Sequence, residues 1–347
     1  MLASLLYGSI QLDQVLITTR HGIRTPLHPF PNDNAIWNCN LNHKFNFQYL
    51  NNSVNNKPFL NLKFDVKNMI IGSCFKGCLA DQGFAQHQRI GSIWRQLYPK
   101  LYTNNTRATN KSRTRLSLLG QLIDNTSTPI ATWDMDTSVI PDYCPADVRY
   151  QDVIKLSPQF SNNDLIQIQQ KTGWNVFWTV FSDNFRARTA MSTPFPPMLT
   201  ENEINNANLM QEKFWCYQYK ENENKEELKK YLQMSTGPYI TDLINMIEKD
   251  AEFHIRSGHD TILAPLASVL IQGWKCGQPD YASFLVIEIN QQEVQVRYRH
   301  GDQGEGEYYV MNACGQIKCT VKEFVDHMKQ YAVKFEERKE MCENAFK

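Results

Sequence analysis

Strand-like segments stand at both ends of this chain and helical ones fill its middle. A single sheet accommodates that order only if the chain leaves it for the helices and then returns. Residues 14–19 read QVLITT, a β-branched run suited to a buried strand. Strand character returns at 251–258 (AEFHIRSG) ahead of a helical stretch at 261–270, and 283–290 with 293–299 read as a hairpin. Between them, 81–98 places Ile90, Trp94 and Leu97 at helical spacing behind Asp81 as N-cap, and 115–123 continues as helix. Residues 142–235 hold several helical patterns, broken at Gly173 and at 192–197 (STPFPP), and 323–339 closes the chain as a helix. The expected fold is α/β, a mixed central sheet flanked by helices with a mainly α-helical cap inserted. Residues 1–140 and 241–347 form the expected core and 141–240 the cap. A loop-rich excursion is expected at 28–76, where twelve asparagines between 32 and 68 compete with regular backbone structure.

The 347 residues carry 36 basic and 36 acidic side chains, a formal charge of zero. Nothing therefore steers the whole molecule to nucleic acid, and any phosphate chemistry must come from a local basic pocket. No run approaches the roughly 18 apolar residues that span a bilayer. The apolar residues 1–10 lack a basic leader and are too short for a full signal peptide, which leaves a trimmed mature form, an incomplete gene start and a cytosolic start all open. Nine cysteines, with Asn-x-Ser/Thr acceptors at Asn51, Asn104, Asn110 and Asn125, favour an oxidising, secretory setting: secreted, lysosomal or vacuolar, or at the cell surface. Nine is odd, so one thiol is left over within the chain.

Directly after the first strand, Arg20-His21-Gly22-Ile23-Arg24-Thr25-Pro26 packs two guanidinium groups and an imidazole into five residues, where open α/β sheets hold ligands. The pattern R-H-G-x-R-x-P arises by chance in about one chain in ten thousand of this length. It resembles the histidine acid phosphatase branch of the histidine phosphatase superfamily, as in the prostatic and lysosomal acid phosphatases. Other segments carry the same resemblance. Gly77-x-Leu79-Ala80-x-x-Gly83-x-x-Gln86 with Gly91 is similar to the family's helix-opening segment. Arg107-Ala108-Thr109 and Arg113-Thr114 are similar to its R-S-T and R-T pair, with the arginine spacing of six retained, and Ser257-Gly258-His259-Asp260-Thr261 to its second catalytic motif. Departures fall at 103–106 (TNNT), where the family has an apolar strand, and at Ala108 and Asn110, which replace Ser and Asp.

The resemblance implies a phosphoglycerate mutase-like core and a metal-independent phosphomonoesterase without cofactor. A phosphate monoester needs its charge held, a nucleophile in line with the leaving oxygen, and a proton for that oxygen. His21 is the expected nucleophile, forming a phosphohistidine, and Asp260 the expected general acid, its pKa raised by a bound dianion so that activity is favoured in acid. Arg20, Arg24 and Arg107 are expected on the non-bridging oxygens, each contact contributing roughly 1.5–3 kcal/mol, with His259 as a further donor. The expected partner is a small phosphomonoester. A phytase-like member would need more Lys or Arg in the cap, and a non-catalytic phosphate-binding or surface protein is the alternative of another class. Relatives are often homodimers, although the chain has no legible interface signature.

The remaining histidines, His28, His43, His87, His254, His300 and His327, lack metal-ligand spacing, and no metal is assigned. His254 is expected as a hydrogen-bonded interior histidine. Gly301, Gly304 and Gly306 read as a turn between β segments, and Trp174, Phe177, Trp178 and Phe181 as core. The family resemblance implies disulfides Cys144–Cys342 and Cys314–Cys319. It supports Cys216–Cys276 less well, because the family's partner falls near Ser283, and it leaves one pair and one free thiol among Cys39, Cys74 and Cys78. Acceptors Asn104 and Asn110 are expected to be unmodified or outward-facing.

Overall fold

The computed structural model describes residues 12–41, 53–54, 57–58, 70–99, 105–122, 131–133, 144–249 and 252–346. β1 (Gln14–Arg20) is buried along its whole length, the environment for which its near-continuous apolar and β-branched run is suited. On one side it pairs in parallel with β6 (Phe253–Gly258), Arg20 level with Gly258, and on the other antiparallel with β7 (Phe284–Asn290). Beyond β6 lie β4 (Asn105–Thr109) and β5 (Ala131–Trp133), both parallel to it. Beyond β7 lies β8 (Glu293–Arg299), with the short β9 (Glu307–Tyr309) and β10 (Lys318–Thr320) both paired to it. The mixed sheet runs β10-β8-β7-β1-β6-β4-β5, with β9 beside β8; β2 (Ser53–Val54) and β3 (Lys57–Pro58) form a separate pair.

Side-chain alternation divides the core between the two faces of this sheet. Val15, Ile17, Phe253, Ile255 and Val286 pack on α1 (Asp81–Leu97) and α2 (Ser112–Gln121) through Ile90, Trp94, Leu116 and Leu119. Leu16, Leu285, Ile287 and Val296 join the opposite layer, where α7 (Lys225–Glu248) and α8 (Asp260–Leu270) supply Leu243, Ile247, Ile262 and Leu266. The same cluster extends through α3 (Pro145–Leu156), α4 (Asn163–Thr172), α5 (Trp178–Met191) and α6 (Glu201–Cys216), which precede a π-turn at 217–221. Trp178 and Phe181 are buried there with Trp174 and Phe177 packed against the cluster, the core role expected of them.

Local chemistry accounts for the helix ends. Asn162 caps α4, which stops at Gly173 in the left-handed region, and Thr200 with Glu203 makes a capping box on α6. Two expectations change. Ala80, not Asp81, occupies the N-cap of α1, because the Asp81 carboxylate accepts the Asn40 N–H instead. The closing helix is two, α9 (Val321–Lys329) and α10 (Phe335–Asn344). The break lies where the chain crosses α7: Val333 N–H donates to Gly237 O, and a Cβ on Gly237 would stand 2.9 Å from the Val333 side chain. His254 is also less interior than expected, half-buried and without a side-chain hydrogen bond among the described residues.

Disulfides join Cys39–Cys74, Cys144–Cys342, Cys216–Cys276 and Cys314–Cys319, and the buried Cys78 stands outside these four bridges. Asn110 is exposed in the turn before α2, where Arg115 donates to its Oδ1; Asn51, Asn104 and Asn125 lie outside the described residues, as does most of the Asn-rich stretch. Gly301, Gly304 and Gly306 form the loop from β8 to β9. Among the described residues no helix is long and apolar enough to cross a membrane.

The turn after β1 lies directly against the first turn of α1. A Cβ on Gly83 would stand 2.2 Å from Ile23 O, and one on Gly22 2.3 Å from Gly83 O, both impossibly close to backbone. Gly83→Ala is therefore expected to destabilise the chain by about 1–3 kcal/mol, seen as a lower midpoint in thermal unfolding. An unchanged midpoint would contradict the close approach.

Candidate active site

The C-terminal ends of β1, β6 and β4 lie side by side, and the residues just beyond them converge. The turn after β1 is pinned from several directions. Arg20 N–H donates to Ser283 O, His21 N–H to Gly258 O, and His21 O accepts from Ala282 N–H. Gly22 N–H donates to Ser117 Oγ of α2 at 3.1 Å and Ile23 N–H to Gln86 Oε1 of α1 at 2.9 Å. Gln86 is steadied in turn by Asp302, which also binds Arg89.

The imidazole of His21 is buried, with Nδ1 2.9 Å from Gly22 O. A carbonyl oxygen only accepts, so the proton lies on Nδ1 and Nε2 keeps its lone pair. Burial, and after it the charges of Arg113, Arg20 and Arg24 and then His259, hold His21 well below the usual imidazole range; it stays neutral in mild acid. His259 follows β6 as the N-cap residue of α8, its ring 5.5 Å from that of His21. Arg113 donates to Nδ1 of His259 at 3.4 Å, which leaves Nε2–H to donate to Thr109 Oγ1 at 3.0 Å. Burial and then Arg113 depress its pKa as well.

Three guanidinium groups surround the two rings. Arg20 is buried, lies 4.4 Å from the Tyr281 ring centre, donates to Pro279 O and pairs with Asp260 Oδ2 at 2.8 Å. Arg24 is buried against Asp183 of α5 at 2.6 Å, whose other oxygen accepts the Leu27 N–H. Arg113, in the first turn of α2, makes no ion pair among the described residues; burial and the neighbouring Arg24 push it down to about 9 despite the attraction of Asp260 and Asp183. Asp260 opens α8. Its Oδ1 accepts Thr261 N–H at 2.9 Å, and its Oδ2 accepts Arg20 and Gln278 Nε2, the latter at 2.8 Å. Burial alone would raise this carboxyl, but Arg20, the Gln278 bond, His259 and Arg24 outweigh it and hold Asp260 down to about 2. The arrangement offers an oxyanion charge-assisted donors, a neutral ring nitrogen and an adjacent carboxyl group.

Residues 11–119 match the family described as histidine phosphatase superfamily (branch 2). The match covers about a third of the chain, and over that stretch the chain is similar to the family. Counting factor 60 of Dictyostelium discoideum is 24% identical to this protein, over 93% of this chain and 86% of that protein. The phytase of Citrobacter braakii superposes with a TM-score of 0.57 at 15% identity, covering 93% of this chain and 98% of that one. The multiple inositol polyphosphate phosphatase of Bifidobacterium longum gives 0.52 at 10% identity, with 94% of each chain covered. At these identities the two structures speak for the fold alone.

The fold brings His21, Arg20, Arg24, His259 and Asp260 together, but not Arg107. Arg107 lies inside β4, level with Arg256 on β6, and both pair with Asp242 of α7. Strand phase is the physical reason: two residues short of the strand end, Arg107 points at the covering helix rather than past the edge of the sheet. The guanidinium next to His259 belongs to Arg113, six residues on. Its signal was legible in the sequence, as the arginine in the first helical turn beyond a strand rather than within it. Asp183, Gln278 and Tyr281 had no such signal, since helix packing and a long return of the chain bring them in.

Arg113→Ala is expected to weaken inorganic phosphate binding roughly 10- to 150-fold by titration calorimetry, the worth of one charge-assisted contact. Arg107→Ala should change it little. A larger loss in the Arg107 variant would refute this placement of the two side chains.

Proposed function

We propose that this protein is a histidine phosphatase that hydrolyses phosphate monoesters through a phosphohistidine on Nε2 of His21, with Asp260 as proton donor and no requirement for a metal. The observation that carries the reading is the fixed Nδ1–H of His21, which leaves a neutral Nε2 among Arg20, Arg24, Arg113 and His259. The N–P bond forms as the P–O bond to the leaving group breaks, and Asp260 gives its proton to the departing oxygen. Water then attacks phosphorus, Asp260 takes a proton from it, the N–P bond breaks and phosphate leaves.

Before substrate engages Arg20, Asp260 is ionised because Arg20 and Gln278 favour the carboxylate. A phosphate dianion that engages Arg20 withdraws that partner and adds a like charge, and both effects raise the Asp260 pKa. Acid then favours the proton donor, while His21 remains unprotonated. The surrounding charge favours a simple leaving group over an inositol polyphosphate. Arg186 is met by Glu212 and Asp280, and Arg188 by Asp33, so these cap cations do not stand free for further phosphates. The non-catalytic alternative drew its support from the altered loop at Arg107, and Arg113 now supplies that guanidinium.

Phosphate release from an aryl and an alkyl phosphate, followed over pH 4–8 with a chelator present, tests the reading. Release should persist with chelator and rise towards acid. Asp260→Asn should slow the alkyl ester roughly 10²–10⁴-fold and the aryl ester far less, because a phenolate needs little protonation to leave. An equal loss on both esters would remove Asp260 from the proton-donor role.

A further inference from the structure

The loop that carries Gln278 past Asp260 is fixed to α6 at two points. Cys276 is disulfide-bonded to Cys216, and Gln278 N–H donates to Glu212 Oε2 at 2.7 Å. Gly277 between them runs so close that a Cβ would stand 2.1 Å from the same carboxylate oxygen, at a φ of +135° that favours glycine. The buried side chain of Gln278 is then bonded at both ends. Its Oε1 accepts from Arg186 at 3.0 Å and its Nε2 donates to Asp260 Oδ2 at 2.8 Å. A guanidinium only donates, so Arg186 decides which end of the amide faces Asp260. Arg186 is itself held by Glu212 at 2.9 Å and Asp280 at 2.6 Å, and His300 lies 3.1 Å from the far oxygen of Asp280.

We propose that Gln278 is a positioning residue for the proton donor: oriented by Arg186, its amide N–H holds Oδ2 of Asp260 and sets how acidic the solution must be before that carboxyl carries a proton. The proposal deepens the function given above and rests on the role of Asp260 there. Arg20 faces Asp260 from β1, Arg24 from the following turn, Arg113 from α2, Tyr219 from the π-turn and His259 from its own helix cap. The arginines and His259 are the groups that a phosphate would engage. Gln278 is not, because its other bonds run to Arg186 and Glu212, away from the phosphate-holding arginines. Its hydrogen bond therefore persists when the Arg20 pair is given up, and a donor to the ionised form resists protonation. Around Gln278 the charged groups are Arg186 from α5, Glu212 from α6, and Asp280 with His300 beyond it.

The test is the single-turnover rate of alcohol release from a saturating alkyl phosphate, measured against pH for the wild type, Gln278→Leu and Gln278→Glu, with an aryl phosphate alongside and thermal unfolding of each variant. Loss of the donor in Gln278→Leu should move the alkaline limb up by about one pH unit. Gln278→Glu, which sets a second carboxyl against Asp260 while keeping a partner for Arg186, should move it further in the same direction. The aryl ester should show neither shift. An alkaline limb that stays in place in both variants, or an equal loss at every pH on both esters, would overturn the proposal while leaving a leaving-group-selective Asp260→Asn result intact. If Asp260→Asn itself fails to separate the two esters, both the proposed function and this inference fall.

Discussion

The concentration of positive charge in one largely enclosed space is the constraint from which the rest follows. Arg20, Arg24 and Arg113 stand around two histidines whose pKa values they push down, and each guanidinium also raises the cost of keeping the others charged. Asp260 and Asp183 offset part of that repulsion, but Arg113 has no carboxylate of its own among the described residues. Buried charge is tolerated only when it is paired, and the dianion of the proposed function would add negative charge there. The same field keeps the imidazole of His21 unprotonated, so on the proposed function the feature that would attract the anion would also preserve the nucleophile in acid.

Holding like charges together requires a scaffold that cannot relax away from them. β1, β6 and β4 run parallel and end together, so the Arg20–His21 pair, His259 and Arg113 emerge at one edge. The turn after β1 has its own N–H groups tied to α1, α2 and β6, and Gly22 and Gly83 let backbone approach backbone where a methyl group would not fit. The opposite helical layer contributes at the side-chain level: Asp183 reaches Arg24, and Arg186 reaches Gln278 and through it Asp260. Both layers thus set the electrostatics of the pocket, one by fixing backbone and the other by placing counter-charges.

Much of this was legible in the residue pattern where one signal dominates. β1 and the β7–β8 hairpin announce themselves through β-branched alternation, and the two motifs at 20–26 and 257–261 fall at strand ends, where chemistry is expected. Less was legible where the answer depends on a distant segment. The helical pattern at 323–339 is real, yet the crossing with Gly237 breaks it in two. Asp81 looks like a cap but is drawn away by Asn40. Arg107 and Arg113 have the same chemistry, and only the point at which β4 ends tells them apart. Asp183 and Gln278 carry no mark in the sequence, since α5 and a disulfide-anchored loop deliver them.

The central claim is that phosphorus becomes bonded to one ring nitrogen of His21, and trapping that species tests it most directly. Enzyme mixed with a labelled phosphate ester and quenched in alkali, in which a phosphoramidate survives, should carry the label on the peptide containing His21. The label should disappear on brief acid treatment and be absent from His21→Ala. Label on a serine, cysteine or aspartate, or active enzyme without His21, would contradict the account.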